Sequence, residues 1–207
     1  MMGTIVYGFS DSPFGEIIVA ATAKGICDLQ FLEHSRMQAI HELGSRWGVY
    51  TSTTIDNEMA ETVAGVIFEG LDKPLTIDLR GTEFQIGVWN QLREIPFGQT
   101  ASYQDMADRL GSPGAVRAVA SAIARNPVAM LIPCHRVIHS DGSVGEYHWG
   151  RELKKRLLEW EAQVAEEAAA GSALSKGPLR LTVNSSTVPL AEELSNDIFK
   201  GELDGLF

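Results

Sequence analysis

The stretch SYQDMADRLGSP, residues 102–113, decides the organisation of the chain because it predicts the junction of two short helices. Ser102 is a typical helix N-cap, and Gly111 is a typical C-terminal stop, so one helix is predicted between them. Ser112 is expected to cap the next helix, with proline at its first position, and that helix runs to the break at Asn126. The pair predicts a helix-turn-helix, although many helical domains contain such a pair.

A further helix is predicted just before this pair. Thr82-Glu83-Phe84-Gln85 has the form of a capping box, and Val88 and Leu92 then follow Phe84 on one helical face. Because proline does not continue a helix, this one is expected to end before Pro96. Residues 82–165 are therefore predicted to form a mainly helical domain.

Residues 1–81 have a different pattern, in which short apolar runs alternate with turn signals. The sequence predicts strands at Ile5–Phe9, Glu16–Ala21, Ile26–Phe31 and Leu75–Leu79, and helices at Met37–Leu43 and Glu58–Phe68. This composition is typical of a small α/β domain. At 207 residues and 44% hydrophobic content, the chain is long enough for one large or two small domains with a real core.

The predicted third helix, which begins at Ser112, is rich in small side chains. Ala115, Ala118 and Ala122 recur at helical spacing, with Arg117 among them and Ser121 beside them. One interpretation is a tightly packed core helix. The other is a smooth helix that lies close to a narrow DNA groove while its arginine enters the duplex. The sequence leaves both open.

Pro133-Cys134-His135-Arg136-Val137 places a thiol next to an imidazole and a guanidinium. The chain has two cysteines, so Cys134 belongs neither to a disulfide framework nor to a cysteine-rich zinc site. A neighbouring base or positive charge makes a thiol a strong nucleophile, and Cys134 is therefore a candidate reactive centre. The apolar run Ala129–Ile132 before it predicts a buried strand that delivers the thiol to its site.

Glu161 lies where an apolar residue is expected on the final predicted helix, four residues after Leu157. A buried carboxylate needs a hydrogen-bonded partner, which could be an arginine or a histidine near the thiol. Residues 166–207 form an acidic tail without clear periodicity. The tail is interpreted either as a disordered segment or as one that covers a surface.

The net charge of −10 is unevenly distributed. Acidic residues outnumber basic ones by 11 to 5 in residues 1–81 and by 8 to 3 in residues 161–207, but residues 82–160 carry 8 acidic and 9 basic side chains. A local basic footprint for nucleic acid is therefore compatible with the acidic total. The sequence predicts no membrane span, no secretory signal and a cytoplasmic location.

Taken together, these motifs resemble the O6-alkylguanine-DNA alkyltransferases, also called methylated-DNA–protein-cysteine methyltransferases. The resemblance covers roughly residues 1–165 and is densest from Thr82 to Glu161. It implies an α/β fold in which a small ribonuclease-H-like domain precedes a helix-turn-helix domain of winged-helix type. It also implies direct-reversal repair, in which the protein takes an alkyl group irreversibly from O6-alkylguanine, or O4-alkylthymine, in double-stranded DNA.

The resemblance assigns roles by position. Cys134 would accept the alkyl group, His135 would draw its proton through a water, and Glu161 would orient the imidazole. Asn126 would fix the turn that presents the cysteine, and Tyr103 would help the base to leave. Arg117 would enter the base stack, and the small side chains of the same helix would contact DNA: Ala115, Ala118, Ser121 and Ala122. The extruded base would be held in a pocket formed by Tyr147, Val137, His148 and Trp149. The acceptor cysteine is itself the reagent, so the resemblance implies no cofactor, and a monomer is expected.

Two features distinguish the chain within this resemblance. Trp149 stands where some members have glycine, which predicts a tighter pocket that favours methyl over benzyl adducts. The N-terminus lacks the cysteine and histidine set that binds structural zinc in some relatives, so no metal is expected. Three other functions were weighed: a lesion-binding protein without chemistry, a cysteine hydrolase and a transcription regulator. The first usually lacks the acceptor cysteine, and the second needs an oxyanion donor that the sequence does not show.

Overall fold

A six-stranded mixed sheet forms the first part of the molecule. The computed structural model describes residues 4–48, 52–170 and 181–187. The described residues form eight strands: β1 (Thr4–Ser10), β2 (Ile17–Thr22), β3 (Gly25–Phe31), β4 (Ser52–Ile55), β5 (Leu75–Gly81), β6 (Ala101–Ser102), β7 (Val137–Ile138) and β8 (Leu181–Thr187). The large sheet has the order β4-β1-β2-β3-β5-β8, and β6 and β7 form a separate two-stranded parallel sheet.

The helices include all those predicted from the sequence. They are α1 (Arg36–Arg46), α2 (Asn57–Ala64), α3 (Glu83–Arg93), α4 (Tyr103–Arg109), α5 (Val116–Ala124) and α6 (Arg151–Ala169). A π-helical turn, Gly65–Glu69, prolongs α2, and the chain then leaves it through Gly70 in the left-handed conformation. The predicted α/β part followed by a helical part is confirmed.

Two hydrophobic clusters cover the two faces of the large sheet. Successive side chains of a strand point to opposite faces, and β2 shows this clearly. Ile18 and Ala20 join a cluster that includes Leu43 of α1, whereas Ile17 and Val19 join the larger cluster that contains α2. The larger cluster continues into the helical part, so the sheet and the helices share one core.

Two capping boxes place the first helices of the second part as predicted. The Thr82 hydroxyl accepts from the backbone N–H of Gln85, and the Gln85 side chain accepts from the Thr82 N–H. Ser102 and Asp105 make the same reciprocal pair at the start of α4. These bonds satisfy backbone donors that the helix leaves unpaired at its N-terminus.

The third helix of this part begins later than the sequence predicts. Ser112 does not cap it: the Ser112 carbonyl accepts from the Ala115 N–H at 2.9 Å, which closes a turn, and α5 starts at Val116. Proline suits the second position of such a turn, and the Pro113 carbonyl also accepts from the Gln104 side chain. The end of α5 at Ala124, before Asn126-Pro127, agrees with the prediction.

The prediction of a strand at Ala129–Ile132, just before Cys134, is wrong. Residues 129–132 form turns, and Met130 has a φ of 64°, which a strand excludes. A single bridge between Leu29 and Val128 ties the start of this segment to β3. The chain then forms a 3₁₀ turn, Cys134–Arg136, before entering β7.

The chain after residue 165 contains regular structure, so of the two interpretations of residues 166–207, disorder does not apply to residues 166–169 or 181–187. Helix α6 continues to Ala169, and β8 pairs in parallel with β5 from Leu181 to Thr187. This pairing satisfies the backbone groups along the free edge of β5, which is a sufficient physical reason for order. Of the two interpretations of the tail, covering a surface applies to residues 181–187. Residues 171–180 and 188–207 lie outside the described part of the chain.

Within the described ranges, no helix combines the length and the apolar character that crossing a membrane requires.

Candidate active site

A cavity of about 840 Å³ opens between α4, α5, the start of α6 and the loop before α6. Its walls include most of the residues predicted to act in chemistry or base binding. Among them are Tyr103, Asn126, Cys134, Tyr147, His148 and Trp149. Cavities of this size accommodate small organic ligands, and an extruded nucleobase falls in that range.

Asn126 holds the segment that carries the reactive cysteine. Its side-chain Nδ2 donates to the Ile132 carbonyl at 2.7 Å and to the Cys134 sulfur at 3.1 Å, while its Oδ1 accepts from the Val128 N–H at 3.0 Å. These bonds bend residues 128–134 into turns, which explains why no strand forms there. They also place a hydrogen-bond donor directly on the sulfur.

Cys134 is 5% exposed and faces the cavity. Burial raises the pKa of its thiol, whereas the hydrogen bond from Asn126 and the positive charge of Lys154 act to lower that pKa. Cys134 and His135 lie on a 3₁₀ turn rather than on an extended strand. A thiolate at Cys134 would therefore depend on neighbouring groups for its stability.

His135 and Glu161 form a buried pair directly behind the cysteine. The His135 Nε2–H donates to Glu161 Oε1 at 2.9 Å, and the two residues are 0% and 1% exposed. Burial lowers the pKa of His135, although Glu161 opposes this effect, so the ring is neutral at neutral pH. With Nε2 as donor, Nδ1 carries the lone pair, and this buried nitrogen has no hydrogen-bond partner in the described part of the protein.

Glu161 also binds an arginine, so both partners weighed from the sequence are present together. Arg136 donates from Nε to Oε2 at 2.8 Å and from Nη2 to Oε1 at 2.9 Å, and from Nη1 to the Ile95 carbonyl at 2.6 Å. Burial alone would raise the pKa of Glu161, but its hydrogen bonds and charge interactions with His135 and Arg136 outweigh burial and lower it to about 2. Glu161 is therefore an anion at any ordinary pH.

A close approach of the backbone completes the surroundings of Glu161. Gly98 has a φ of 73°, and its N–H donates to Glu161 Oε2 at 3.2 Å. A Cβ at this position would lie 2.8 Å from the Ala165 side chain and 3.2 Å from the Glu161 carbonyl oxygen. Only glycine fits here, since both the conformation and the space exclude a side chain.

The amino-acid sequence matches two family models that divide the chain where the fold does. The ribonuclease-like domain of 6-O-methylguanine DNA methyltransferase matches residues 5–78, and the DNA-binding domain of 6-O-methylguanine DNA methyltransferase matches residues 83–163. The chain belongs to this family. The predicted resemblance is thereby confirmed, and so is the predicted two-domain fold.

Relatives in this methyltransferase family match between about half and three quarters of this chain. The bifunctional transcriptional activator/DNA repair enzyme Ada of Escherichia coli is 42% identical over 164 residues, which cover 77% of this chain and 46% of that protein. The inducible methylated-DNA–protein-cysteine methyltransferase of Bacillus subtilis is 48% identical over 101 residues, 48% of this chain and 56% of that protein. The Mycobacterium tuberculosis methylated-DNA–protein-cysteine methyltransferase is 37% identical over 161 residues, 76% of this chain and 92% of that protein. The chain thus spans about half the length of the first two relatives.

Solved structures of the methyltransferase family agree with the fold. The crystal structure of the Mycobacterium tuberculosis O6-methylguanine methyltransferase has a TM-score of 0.63 and 34% identity, covering 77% of this chain and 93% of that one. A crystal structure of the Mycobacterium tuberculosis protein in complex with DNA has a TM-score of 0.61 and 34% identity, covering 76% and 93%.

Two tyrosines of this methyltransferase-family site lie in the cavity wall. Burial, and after it the charge of Cys134, raises the pKa of Tyr147 well above its usual value. The buried Tyr147 hydroxyl makes no hydrogen bond of ordinary geometry in the described structure. Burial, followed by the charges of Cys134 and Glu146, raises the pKa of Tyr103 to about 12. Both phenols therefore keep their protons and are available as donors to a ligand. Val137 is fully buried in β7, beside the cavity rather than among its lining side chains.

The two interpretations of the small side chains of α5, core packing and a smooth exposed surface, each apply to a different face of the helix. Arg117 and Ala118 are exposed, and Ala115 and Ser121 are half-buried. Ala122 is 2% exposed in the core, so the prediction that its side chain contacts DNA is wrong. Its carbonyl instead accepts from the Trp89 indole N–H at 2.8 Å, which joins α5 to α3. Ala120 and Ala124 line the cavity with Ser121, and their small size leaves it open.

Trp149 links the wall of the cavity to the N-terminal sheet. It is 8% exposed, and its ring packs edge-on against Phe31 of β3 at 5.7 Å and against Tyr147 at 5.1 Å. His148 packs against the same indole at 4.8 Å. The tryptophan therefore narrows the cavity and also fixes the loop to the sheet.

Arg136 and Lys154 are site residues that the sequence analysis did not identify. Arg136 adjoins the predicted pair, but its contact with Glu161 depends on the turn at Cys134. The sequence does contain a signal for Lys154. It lies three residues before Leu157 and seven before Glu161, so it is a polar residue on the apolar face of the helix, as Glu161 is. No group of three side chains suited to a metal ion occurs in the described ranges.

Proposed function

We propose that this protein repairs O6-alkylguanine in double-stranded DNA by transferring the alkyl group to Cys134, once per molecule. The observation that carries the proposal is the Cys134 sulfur in the wall of a base-sized cavity, bonded by Asn126 and backed by the His135–Glu161 pair. The relatives named as methylated-DNA–protein-cysteine methyltransferases support it. O4-alkylthymine is a second substrate of the same chemistry.

The proton of the thiol leaves through His135. The Nδ1 lone pair is buried and unpartnered, and the imidazole is already oriented by its bond to Glu161. A water molecule between the sulfur and Nδ1 carries the proton, which yields a thiolate and an imidazolium. The Glu161 carboxylate then stabilises the imidazolium as an ion pair, because its low pKa keeps it charged.

The alkyl transfer itself is a displacement at carbon. The thiolate forms a sulfur–carbon bond as the carbon–O6 bond of the base breaks, and the electron pair of that bond passes to guanine. A proton from the Tyr103 phenol neutralises the guanine as it leaves. The product thioether has no ready leaving group, so the protein is consumed.

Access to the alkyl carbon requires the nucleotide to leave the base stack. The carbon lies inside the duplex, where the thiol cannot reach it. The exposed Arg117 on α5 enters the stack in place of the extruded base, and Ala115, Ala118 and Ser121 let the helix approach the groove. Tyr147, Trp149 and the backbone of Val137 and His148 enclose the base. The structure of the Mycobacterium tuberculosis relative with DNA supports DNA as the partner.

The same proposal has the protein act on its substrate as a monomer and places it in the cytoplasm. Light scattering of the protein alone and bound to a short duplex tests the stoichiometry. One protein per lesion-bearing duplex is expected, and two proteins per duplex at saturation would contradict the monomer.

The decisive experiment measures the intact mass of the protein after incubation with a duplex that contains one O6-methylguanine. We expect the gain of one methyl group, located by fragmentation on the peptide that contains Cys134. Cys134→Ala should bind the duplex without gaining mass. Cys27→Ala is the matched control, since Cys27 is buried in the sheet and should not affect the gain. If the wild-type protein stayed unmodified in the presence of excess O6-methylguanine duplex, the proposal would be refuted. Sustained turnover of an ester substrate would indicate a hydrolase instead.

A further inference from the structure

Arg125 is an exposed cation at the rim of the cavity. It directly follows the last residue of α5 and lines the cavity. Among the described residues, three lysine or arginine side chains line this cavity, and two of them have partners. Arg151 pairs with Glu146 at 2.9 Å, and Lys154 donates to the Glu146 carbonyl at 3.3 Å. The Arg125 guanidinium makes no hydrogen bond, ion pair or ring contact with any residue in the described ranges.

Arg117 and Arg125 lie near the two ends of the stretch of α5 that faces the cavity. They are eight residues apart in the sequence, which corresponds to about 12 Å along the helix axis. Between them, Ala120, Ser121 and Ala124 line the cavity with small side chains. The helix therefore offers a smooth wall with a guanidinium near each end.

Carboxylates lie on other walls of the same cavity. Glu33 is on the loop before α1, and Glu146 is on the loop before α6. Within the described structure, neither of them pairs with Arg125, which leaves the end of α5 with an uncompensated positive charge. A DNA backbone that passes the rim is therefore repelled by the walls that carry Glu33 and Glu146 and attracted to the end of α5.

A phosphate is the ligand that suits a guanidinium in this position. The planar fork of donors in arginine matches two oxygens of a phosphate, and such charged hydrogen bonds are strong. An extruded nucleotide turns about its backbone, so its base enters the cavity while its phosphates stay at the rim. Arg125 lies at that rim, on the helix that is proposed to approach the groove.

We propose that Arg125 binds a backbone phosphate of the extruded nucleotide and so holds that nucleotide at the rim of the cavity. This inference rests on the proposed function, in which the damaged base leaves the duplex before it reacts. Arg125 takes no part in the bonds that form and break. Its contact is made in the extruded state, so it favours that state over the stacked one.

A structural role for Arg125 would have different consequences. A cation at the C-terminal end of a helix interacts favourably with the helix dipole, and Arg125 could serve only to stabilise α5. In that case Arg125→Gln would lower the melting temperature and slow the reaction with free O6-benzylguanine as well as the reaction with DNA. A phosphate contact predicts an unchanged reaction with the free base, which has no phosphate.

The first test measures equilibrium binding in the Cys134→Ala background, where no transfer occurs, to an O6-methylguanine duplex and to the undamaged duplex. Adding Arg125→Gln should weaken binding of the damaged duplex by about tenfold, and that of the undamaged duplex by less. The slope of log affinity against log salt for the damaged duplex should become shallower by about 1. Arg125→Lys should keep most of the affinity, because it keeps the charge.

Lys24→Gln is the matched control for the loss of one positive charge. Lys24 is exposed in the turn between β2 and β3 and does not line the cavity. In the same background, it should affect the damaged and the undamaged duplex equally and only slightly. A loss as large as that of Arg125→Gln would mean that net charge, and not a local contact, causes the effect, and it would overturn the inference.

The second test neutralises the phosphates on either side of the damaged nucleotide, one at a time, with a methylphosphonate. At one of the two positions, the neutral linkage should weaken binding by Cys134→Ala but have little further effect once Arg125→Gln is also present. This coupling identifies the phosphate that Arg125 contacts. Additive losses at both positions would overturn the inference.

The tests separate this inference from the proposed function. If the wild type takes a methyl group from DNA but neither phosphate couples to Arg125, the inference alone is wrong. If a phosphate couples to Arg125 but the wild type stays unmodified by the damaged duplex, the proposed methyl transfer alone is refuted. A lower melting temperature of Arg125→Gln, together with equal losses for DNA and for free O6-benzylguanine, would assign Arg125 to the stability of α5 and overturn the inference.

Discussion

Glu161 accepts hydrogen bonds from His135 and Arg136 at once, with three side-chain contacts between 2.8 and 2.9 Å. One carboxylate therefore has two tasks. It orients the imidazole beside Cys134, the proposed nucleophile, and it neutralises a buried guanidinium that also binds the Ile95 carbonyl. Loss of the carboxylate should consequently affect both chemistry and folding.

Glu161→Gln should slow methyl transfer by about 10²-fold or more, because the imidazolium loses its counter-ion. It should also lower the free energy of unfolding by about 3–5 kcal/mol, the usual effect of leaving one partner of a buried ion pair uncompensated. Single-turnover kinetics and urea unfolding measure the two effects. Glu159→Gln, on the exposed face of the same helix, is the control and should change neither.

The low pKa of Glu161 predicts an acid-sensitive fold. An unfolded glutamate titrates near 4.3, so its contribution is complete above that pH and is lost as the pH falls through the folded value of about 2. Urea unfolding of the wild type should show stability that falls steeply between these two pH values. In Glu161→Gln the same interval should show a shallower fall, and equal slopes would contradict the predicted coupling.

Asn126→Ala should inactivate the protein without removing a reacting group. The variant loses the bonds to Val128, Ile132 and Cys134. It leaves the buried Val128 N–H unpaired, which costs about 1–3 kcal/mol, whereas the Ile132 carbonyl still accepts from the Cys134 N–H at 2.8 Å. Asn184→Ala removes an exposed bond to the Lys24 carbonyl and serves as the comparison. If Asn126→Ala transferred methyl groups at the wild-type rate, Asn126 would have no role in presenting the sulfur.

Arg117→Ala should slow repair in duplex DNA far more than reaction with free O6-benzylguanine, since the free base needs no extrusion. Lys73→Ala removes an exposed charge from the N-terminal part and should leave both rates unchanged. Rates of single-turnover transfer to Cys134 measure both reactions. Equal losses in the two reactions would exclude Arg117 from the extrusion step.

Trp149 should make the protein slower with O6-benzylguanine than with O6-methylguanine in DNA, because its indole narrows the cavity. Trp149→Gly should accelerate the benzyl reaction relative to the methyl reaction. The same variant should lose about 3 kcal/mol or more of stability, since the packing against Phe31 disappears. Equal rates of inactivation of the wild type by both substrates would contradict the tight pocket.

Local signals predicted most of the fold correctly. The capping boxes at Thr82 and Ser102 involve residues three apart, so the sequence alone determines them. The first three strands alternate between two faces that are both buried, and their turns are short. Here each segment contains nearly all the information that its own structure requires.

The errors arose where a distant or competing bond determines the backbone. The segment before Cys134 has the composition of a strand, but Asn126 bends it through side-chain hydrogen bonds that no periodicity shows. Ser112 resembles a cap, yet its carbonyl closes a turn first. Ala122 lies four residues after the exposed Ala118 but is buried in the core, where α5 packs against Trp89 of α3, and the spacing alone does not show that contact.

The pairing of β8 with β5 affects how shortened versions of the protein should behave. Removing residues 166–207 would strip the covering strand from Leu75–Gly81 and leave a row of open backbone donors and acceptors on a well-ordered, largely apolar edge. Two such molecules can satisfy those groups by joining edge to edge. Dimers or precipitates of a truncated protein would then result from the uncovered edge of β5. They would not be evidence for the oligomeric state of the full chain.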